Sequence, residues 1–120
     1  MDLEAIRTFC LSLPHVTERV QWGNDLLFCI GGKMFAVATL DTKYSTKLSF
    51  KCTPEKFAEL VESEGIIPAP YVARYHWVAL EDLDALSQRE LKELLKTAHQ
   101  LVHDKLTKKV QAELAADSRR

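Results

Sequence analysis

Two adjacent glycines, Gly31 and Gly32, separate the apolar runs Leu26 to Ile30 and Met34 to Leu40. A pair of glycines supplies two left-handed residues without steric cost, as a two-residue turn between antiparallel strands requires. The pair predicts a tight hairpin, with Lys33 opening its second strand. Upstream, Gly23-Asn24-Asp25 supplies turn chemistry after a short strand at Val20-Gln21-Trp22. Downstream, a turn over Asp41 to Tyr44 leads into a further strand, Ser45 to Lys51. Alternation there puts Thr46, Leu48 and Phe50 on one face and Lys47, Ser49 and Lys51 on the other. The expectation is an antiparallel meander with one core face and one solvated, basic face.

Helical signals frame the meander. Leu3, Ile6, Phe9, Cys10 and Leu13 recur at spacings of three and four, giving a first helix with one buried stripe, ended by Pro14. Thr53 is placed to cap a second helix with Pro54 at its first position and Glu55 near its positive end. Phe57, Leu60 and Val61 form the buried side of that helix, and Gly65 is its expected stop. A strand over Trp77 to Leu80 precedes the last helix, which the capping box Ser87-Gln88-Arg89-Glu90 opens. Leu91, Leu94, Leu95, Ala98 and Val102 are its buried stripe. Strands grouped among helices indicate α+β, with helices packed on one face of an antiparallel sheet. No repeat or linker divides the 120 residues, so residues 1–116 are read as one domain and 117–120 as a frayed tail.

Composition excludes several classes. Hydrophobic residues at 47% and charged residues at 28% fit a globular chain rather than a disordered one. No apolar run approaches the roughly 18 residues that span a bilayer, and Asp2 and Glu4 stand where an export signal carries basic residues. The expected setting is the cytoplasm, without membrane contact. Three scattered cysteines, Cys10, Cys29 and Cys52, form no disulfide framework and read as small buried hydrophobes, with Cys52 beside a helix start that would lower its pKa slightly. A net charge of −1 argues against a globally basic nucleic-acid binder, so such a role needs local charge segregation.

The segment Pro68-Ala69-Pro70-Tyr71-Val72-Ala73-Arg74-Tyr75-His76-Trp77 combines a stiff, proline-bounded start with an aromatic and basic run. With Lys51-Cys52-Thr53-Pro54-Glu55 it resembles the MmcQ/YjbR family of small bacterial proteins. The closest matches are at Lys51, Pro54, Pro70, His76 and Trp77. The resemblance implies a single α+β domain with a curved antiparallel sheet of the frataxin-like (CyaY-like, "double wing") type. It also implies DNA binding without catalysis.

The candidate contacts follow from charge and exposure. Arg89, Lys92, Lys96, His99 and His103 share one flank of the last helix, a basic strip able to track phosphates. Lys47 and Lys51 on the strand face and Arg74 and His76 on the aromatic run complete the set. Trp77 and Trp22 are read as core residues, and Tyr71, Arg74 and His76 as facing out; an inward Trp77 turns His76 to the solvated face, near Lys47 and Lys51 if the strands share one sheet, as a composite patch. The nucleic-acid contacts are thus Lys47, Lys51, Arg74, His76, Arg89, Lys92 and Lys96, and the binding is weak and salt-sensitive. His99 and His103 have the i, i+4 spacing of a metal pair, but Gln100-Leu101-Val102 between them lacks the glutamate of a zinc protease motif and no spacing supplies a third ligand. No serine lies in a nucleophile elbow, and Gly31-Gly32-Lys33 is too short for a phosphate loop. No metal, cofactor or catalysis is expected, and the chain is read as a monomer. The alternative is a protein-interaction or chaperone-like module that receives a partner on the sheet face or edge. Apolar residues on the outward face would favour it; Lys, Ser and Thr there would favour DNA.

Overall fold

The computed structural model describes residues 1–41 and 45–117; the expected turn at Asp41 to Tyr44 falls largely outside them, as does the tail beyond Asp117. Helix α1 (Leu3–Ser12) starts where the Asp2 carboxylate accepts from the Ala5 amide at 2.8 Å. Leu13 is already extended, as the residue before a proline must be. Strands β1 (Val16–Gln21), β2 (Asp25–Ile30), β3 (Lys33–Thr39) and β4 (Leu48–Lys51) form the meander. Gly31 and Gly32 take φ of 59° and 81°, the hairpin geometry that the sequence predicts. Strand β1 is longer than expected, running from Val16, and Trp22 lies in the turn after it.

Helix α2 (Pro54–Leu60) has Thr53 as its N-cap, accepting from the Lys56 amide at 3.1 Å. It ends five positions before Gly65, whose φ of 85° instead turns the chain into β5 (Ile66–Pro68). The sequence reading missed this short edge strand because Pro68 breaks its pattern, although an edge is where a strand tolerates proline. A 3-10 turn at Ala73–Tyr75 leads to β6 (Trp77–Leu80), and a second at Leu83–Ala85 leads to α3 (Gln88–Lys105). The Ser87 hydroxyl caps α3 by accepting from the Glu90 amide at 3.2 Å. After Leu106 breaks the helix with ψ of 152°, Thr107 caps the Val110 amide and α4 (Lys108–Asp117) follows.

All pairings are antiparallel, in the order β1-β2-β3-β4-β6-β5, so β6 lies between β4 and the edge strand β5. The helices cover one face of this sheet. Ile6 and Cys10 of α1 and Leu91, Leu95 and Ala98 of α3 pack on Leu26, Phe28, Leu48, Phe50, Val78 and Leu80. Arg7 pins α1 to β1, its guanidinium donating to both Glu18 oxygens at 2.6 and 2.8 Å. The α+β class, the single domain and the one-sided helical layer are as the sequence predicts.

The other face departs from expectation. It carries a second apolar cluster of Trp77, Ala79 and Ala69, joined by Met34, Val37, Ile67 and Val72. Lys51 stands directly opposite Trp77 across the β4–β6 ladder, so the two share this face. A solvated, basic surface was inferred from β4 alone, whereas β2 and β6 are near-continuous apolar runs, the pattern of strands buried on both faces.

Candidate functional site

The sequence-derived basic residues do not converge. Lys51 Nζ donates to the Tyr75 carbonyl at 2.8 Å, and its pKa is lowered first by burial and then by the charge of Lys105. Lys47 lines a separate depression with Met1, Asp2, Glu81, Asp82 and Asp84, a predominantly acidic setting. The Arg74 guanidinium lies over the Tyr75 ring at 4.8 Å. His76, in a left-handed conformation with φ of 65°, meets Phe57 of α2 edge-on at 5.7 Å, and its carbonyl accepts from the Cys52 amide and thiol. It therefore lies with α2 on the helical side, while Lys51 faces the other way. The composite patch fails because it took Trp77 into the core beneath the helices. Val78 and Leu80 fill that core, and Trp77 is buried on the opposite face.

On α3, Arg89 and Lys96 are exposed, and Lys92 is half-buried with its ammonium 5.7 Å from the Phe9 ring centre. His99 leaves the strip altogether. It is 7% exposed, meets Phe35 edge-on and lies 2.8 Å from the Pro14 carbonyl through Nε2. His103 turns to Asp104 at 3.2 Å, so the two histidines do not face a common point. Among the described residues no three His, Cys, Asp or Glu side chains are grouped as a metal ion requires, and no helix is long and apolar enough to cross a membrane.

All three thiols are free and buried. Burial pushes Cys10 up to about 12 and Cys52 up to about 11. The expected lowering of Cys52 by the α2 dipole is outweighed because its sulfur is desolvated and donates to the His76 carbonyl.

A concavity of about 770 Å³ lies on the open sheet face. Its floor is Met34, Val37, Ser49 and Trp77, and its walls are the β1–β2 turn with Trp22 and the connector with Pro70, Tyr71 and Val72. Trp77 is 5% exposed, as a residue of the floor. Trp22 was expected in the core, yet it is 62% exposed because a φ of 54° carries its ring out of the strand's alternation. Tyr71, expected to face out, is 99% exposed and also has a positive φ, 69°. Thr46 lines this concavity as well, against its expected place in the core face. Among the described residues that line it, Asp25 and Asp41 are charged. Burial, and then the charge of Asp41, push the Asp25 carboxyl above its ordinary pKa.

Sequence reasoning recovered Tyr71 and Trp77 but not the groove between them. The legible signal was the unalternating Trp77-Val78-Ala79-Leu80, which requires cover on both faces.

Similarity to known proteins bears on the fold and the family. A Deinococcus radiodurans protein, DR2400, with the domain designated DUF419, is 28% identical, with a TM-score of 0.81 over 94% of this chain and 87% of that one. A Pseudomonas syringae protein shares the fold at 18% identity, with a TM-score of 0.69 over 84% of this chain and 98% of its own. No curated protein matches the chain significantly. The YjbR family model matches residues 11–101, which include every strand, α2, the groove's aromatic walls and most of α3. The chain belongs to the YjbR family.

Proposed function

We propose that this protein is a protein-interaction module that receives an extended partner segment on the open face of its sheet, and that it acts without catalysis, as a cytoplasmic monomer. One observation carries the reading: the uncovered sheet face is apolar and is walled by two large aromatics held in solvent. Exposed aromatic side chains around a desolvated floor are the anatomy of an interaction hot spot. Each of these two also adopts a left-handed backbone, a cost that folded proteins concentrate at functional positions. The three reduced thiols suit a reducing compartment.

Selection of a random displayed peptide library against the full chain tests this reading. Recovered peptides are expected to lose binding to a Trp22→Ala/Tyr71→Ala double variant, which removes two exposed rings. Peptides that bind this variant undiminished, or no recovered peptides, would overturn it.

A second reading, weak DNA binding, is supported by Arg89, Lys92 and Lys96 along α3. It is independent of the open face, because α3 lies on the other side of the sheet. Duplex binding near micromolar or poorer that collapses with salt and is abolished by Lys92→Glu/Lys96→Glu would support it. No binding at low salt would sink it.

A further inference from the structure

We infer that the partner segment carries a run of acidic residues beside its apolar part, and that this run docks on a cluster of cations at the end of the sheet where the groove passes Met34 and Trp77. The inference rests on the reading of the open face as a protein-binding surface and adds the charge of what binds there.

Strand direction assembles the cluster. Because β2 and β3 turn at Gly31-Gly32, β3 starts with Lys33 at the end of the sheet where antiparallel β4 finishes with Lys51. Lys51 pairs with Trp77, the first residue of β6, so the 3-10 turn that carries Arg74 reaches the same end. Helix α3 finishes there too, with Lys105 as its last residue. The Leu106 side chain, at its corner with α4, lies 2.7 Å from where a Gly31 Cβ would stand. Lys108 and Lys109 then open α4. Cations far apart in sequence thus gather at one end of a protein whose net charge is −1.

The cluster is short of counter-charge. Among the described residues, none of these cations forms an ion pair with a carboxylate. The acids nearest Lys105 and Lys109 in sequence are Asp104, which is engaged by Gln100 and His103, and Glu113, a turn further along α4. Lys51 donates to the Tyr75 carbonyl, which leaves the rest of its ammonium protons for another acceptor. Burial and then the charge of Lys105 lower its pKa, so the two cations feel one another. An anion from outside relieves such repulsion.

Position ties the cluster to the groove. Lys33 precedes Met34, Lys51 faces Trp77 across the ladder, and Met34 and Trp77 both belong to the groove's floor. A segment that leaves the floor past them arrives among the cations. A short acidic flank suits this arrangement better than a nucleic acid does. The field of a local cluster on a nearly neutral protein fades within a screening length of about 8 Å, so it draws in a free polyanion poorly. A flank tethered to a segment already in the groove is delivered inside that range at high effective concentration.

The test uses peptides from the selection described above that depend on Trp22 and Tyr71. Each is synthesised with a run of glutamates, or of glutamines, added at its N-terminus or at its C-terminus, and titrated by fluorescence anisotropy against the full chain at low salt. At one end at least, the glutamate run is expected to tighten binding about tenfold over the glutamine run, the sum of two or three exposed charge pairs. The gain is expected to vanish at about 1 M salt, where the screening length is about 3 Å. It should vanish equally in Lys33→Glu/Lys105→Glu, two exposed positions on separate elements, while the glutamine peptides bind that variant as before. No gain at either end, or a gain that survives in this variant, would overturn the acidic-flank inference and leave the protein-interaction reading standing. A single-stranded oligonucleotide that binds more tightly than the glutamate peptides, and loses binding in the same variant, would overturn the assignment of the cluster to a protein. A selection with no groove-dependent peptide would overturn both readings.

Discussion

His99 shows how a residue's role depends on its surroundings. Its place on α3 suggests a surface basic group, yet the ring is buried and points Nε2 at the Pro14 carbonyl, which can only accept, so this nitrogen carries the proton. Burial first, and then the charges of His103 and His15, hold its pKa below the ordinary 6.5, partly opposed by the Pro14 hydrogen bond. The unfolded chain therefore binds the proton more readily than the folded one. Stability from this group is complete above pH 6.5 and is lost as pH falls through the window between that value and the lower folded one. Urea denaturation between neutral and mildly acid pH is expected to show this decline, and His99→Gln, which keeps a donor for Pro14, to flatten it.

The cysteines yield a second prediction at this scale. With Cys10 raised to about 12 and Cys52 to about 11, and Cys29 also raised by burial, almost no thiolate exists at neutral pH. Intact mass is expected to show three free thiols, and alkylation of the native protein to be slow at all three until denaturant is added. Rapid labelling of Cys29 in the folded state would overturn its burial.

Among the elements, α4, like β5, was hidden from the sequence. Its residues continue the polar pattern of α3, and the break rests on Leu106, whose extended backbone nothing in local propensity requires. Tertiary contact provides the reason, because a Cβ on Gly31 would come within 2.7 Å of the Leu106 side chain and 3.0 Å of Val110. The hairpin glycine thus makes room for the α3–α4 corner as well as turning the chain. Gly31→Ala is expected to destabilise by about 1–3 kcal/mol in thermal or urea unfolding, from crowding plus a left-handed alanine. Gly32→Ala, with open space around it, should lose only the backbone part.

The elements that were legible are those fixed locally: the Gly31-Gly32 hairpin, the Thr53 and Ser87 caps and the apolar stripe of α3. Those that were not depend on residues far away in the chain. Trp22 leaves the core through its turn geometry, and His76 turns from the strand face through its left-handed φ. The candidate basic site was assembled from an alternation rule that assumed only one covered face.

For the whole molecule, the two-sided sheet has a measurable cost attached. Trp77 belongs to the small open-face cluster and not to the helical core, yet it is almost fully buried. Trp77→Ala is expected to destabilise by about 3 kcal/mol, the low end for a buried aromatic, because one side of the site already opens to the groove. A loss below about 1 kcal/mol would show that the groove's floor is not a structural part of the sheet.

The placement of β6 between β4 and β5 has a consequence for biosynthesis. The meander through β4 can assemble as it leaves the ribosome, but the outer edge of β4, with Leu48 and Phe50, has no neighbour until Trp77–Leu80 has been made. In that interval the nascent chain displays an unpaired apolar edge, the feature through which strands join the wrong partners. Lys51, at the end of β4, is then a gatekeeper charge beside an apolar strand, guarding the edge before Tyr75 arrives to accept its hydrogen bond.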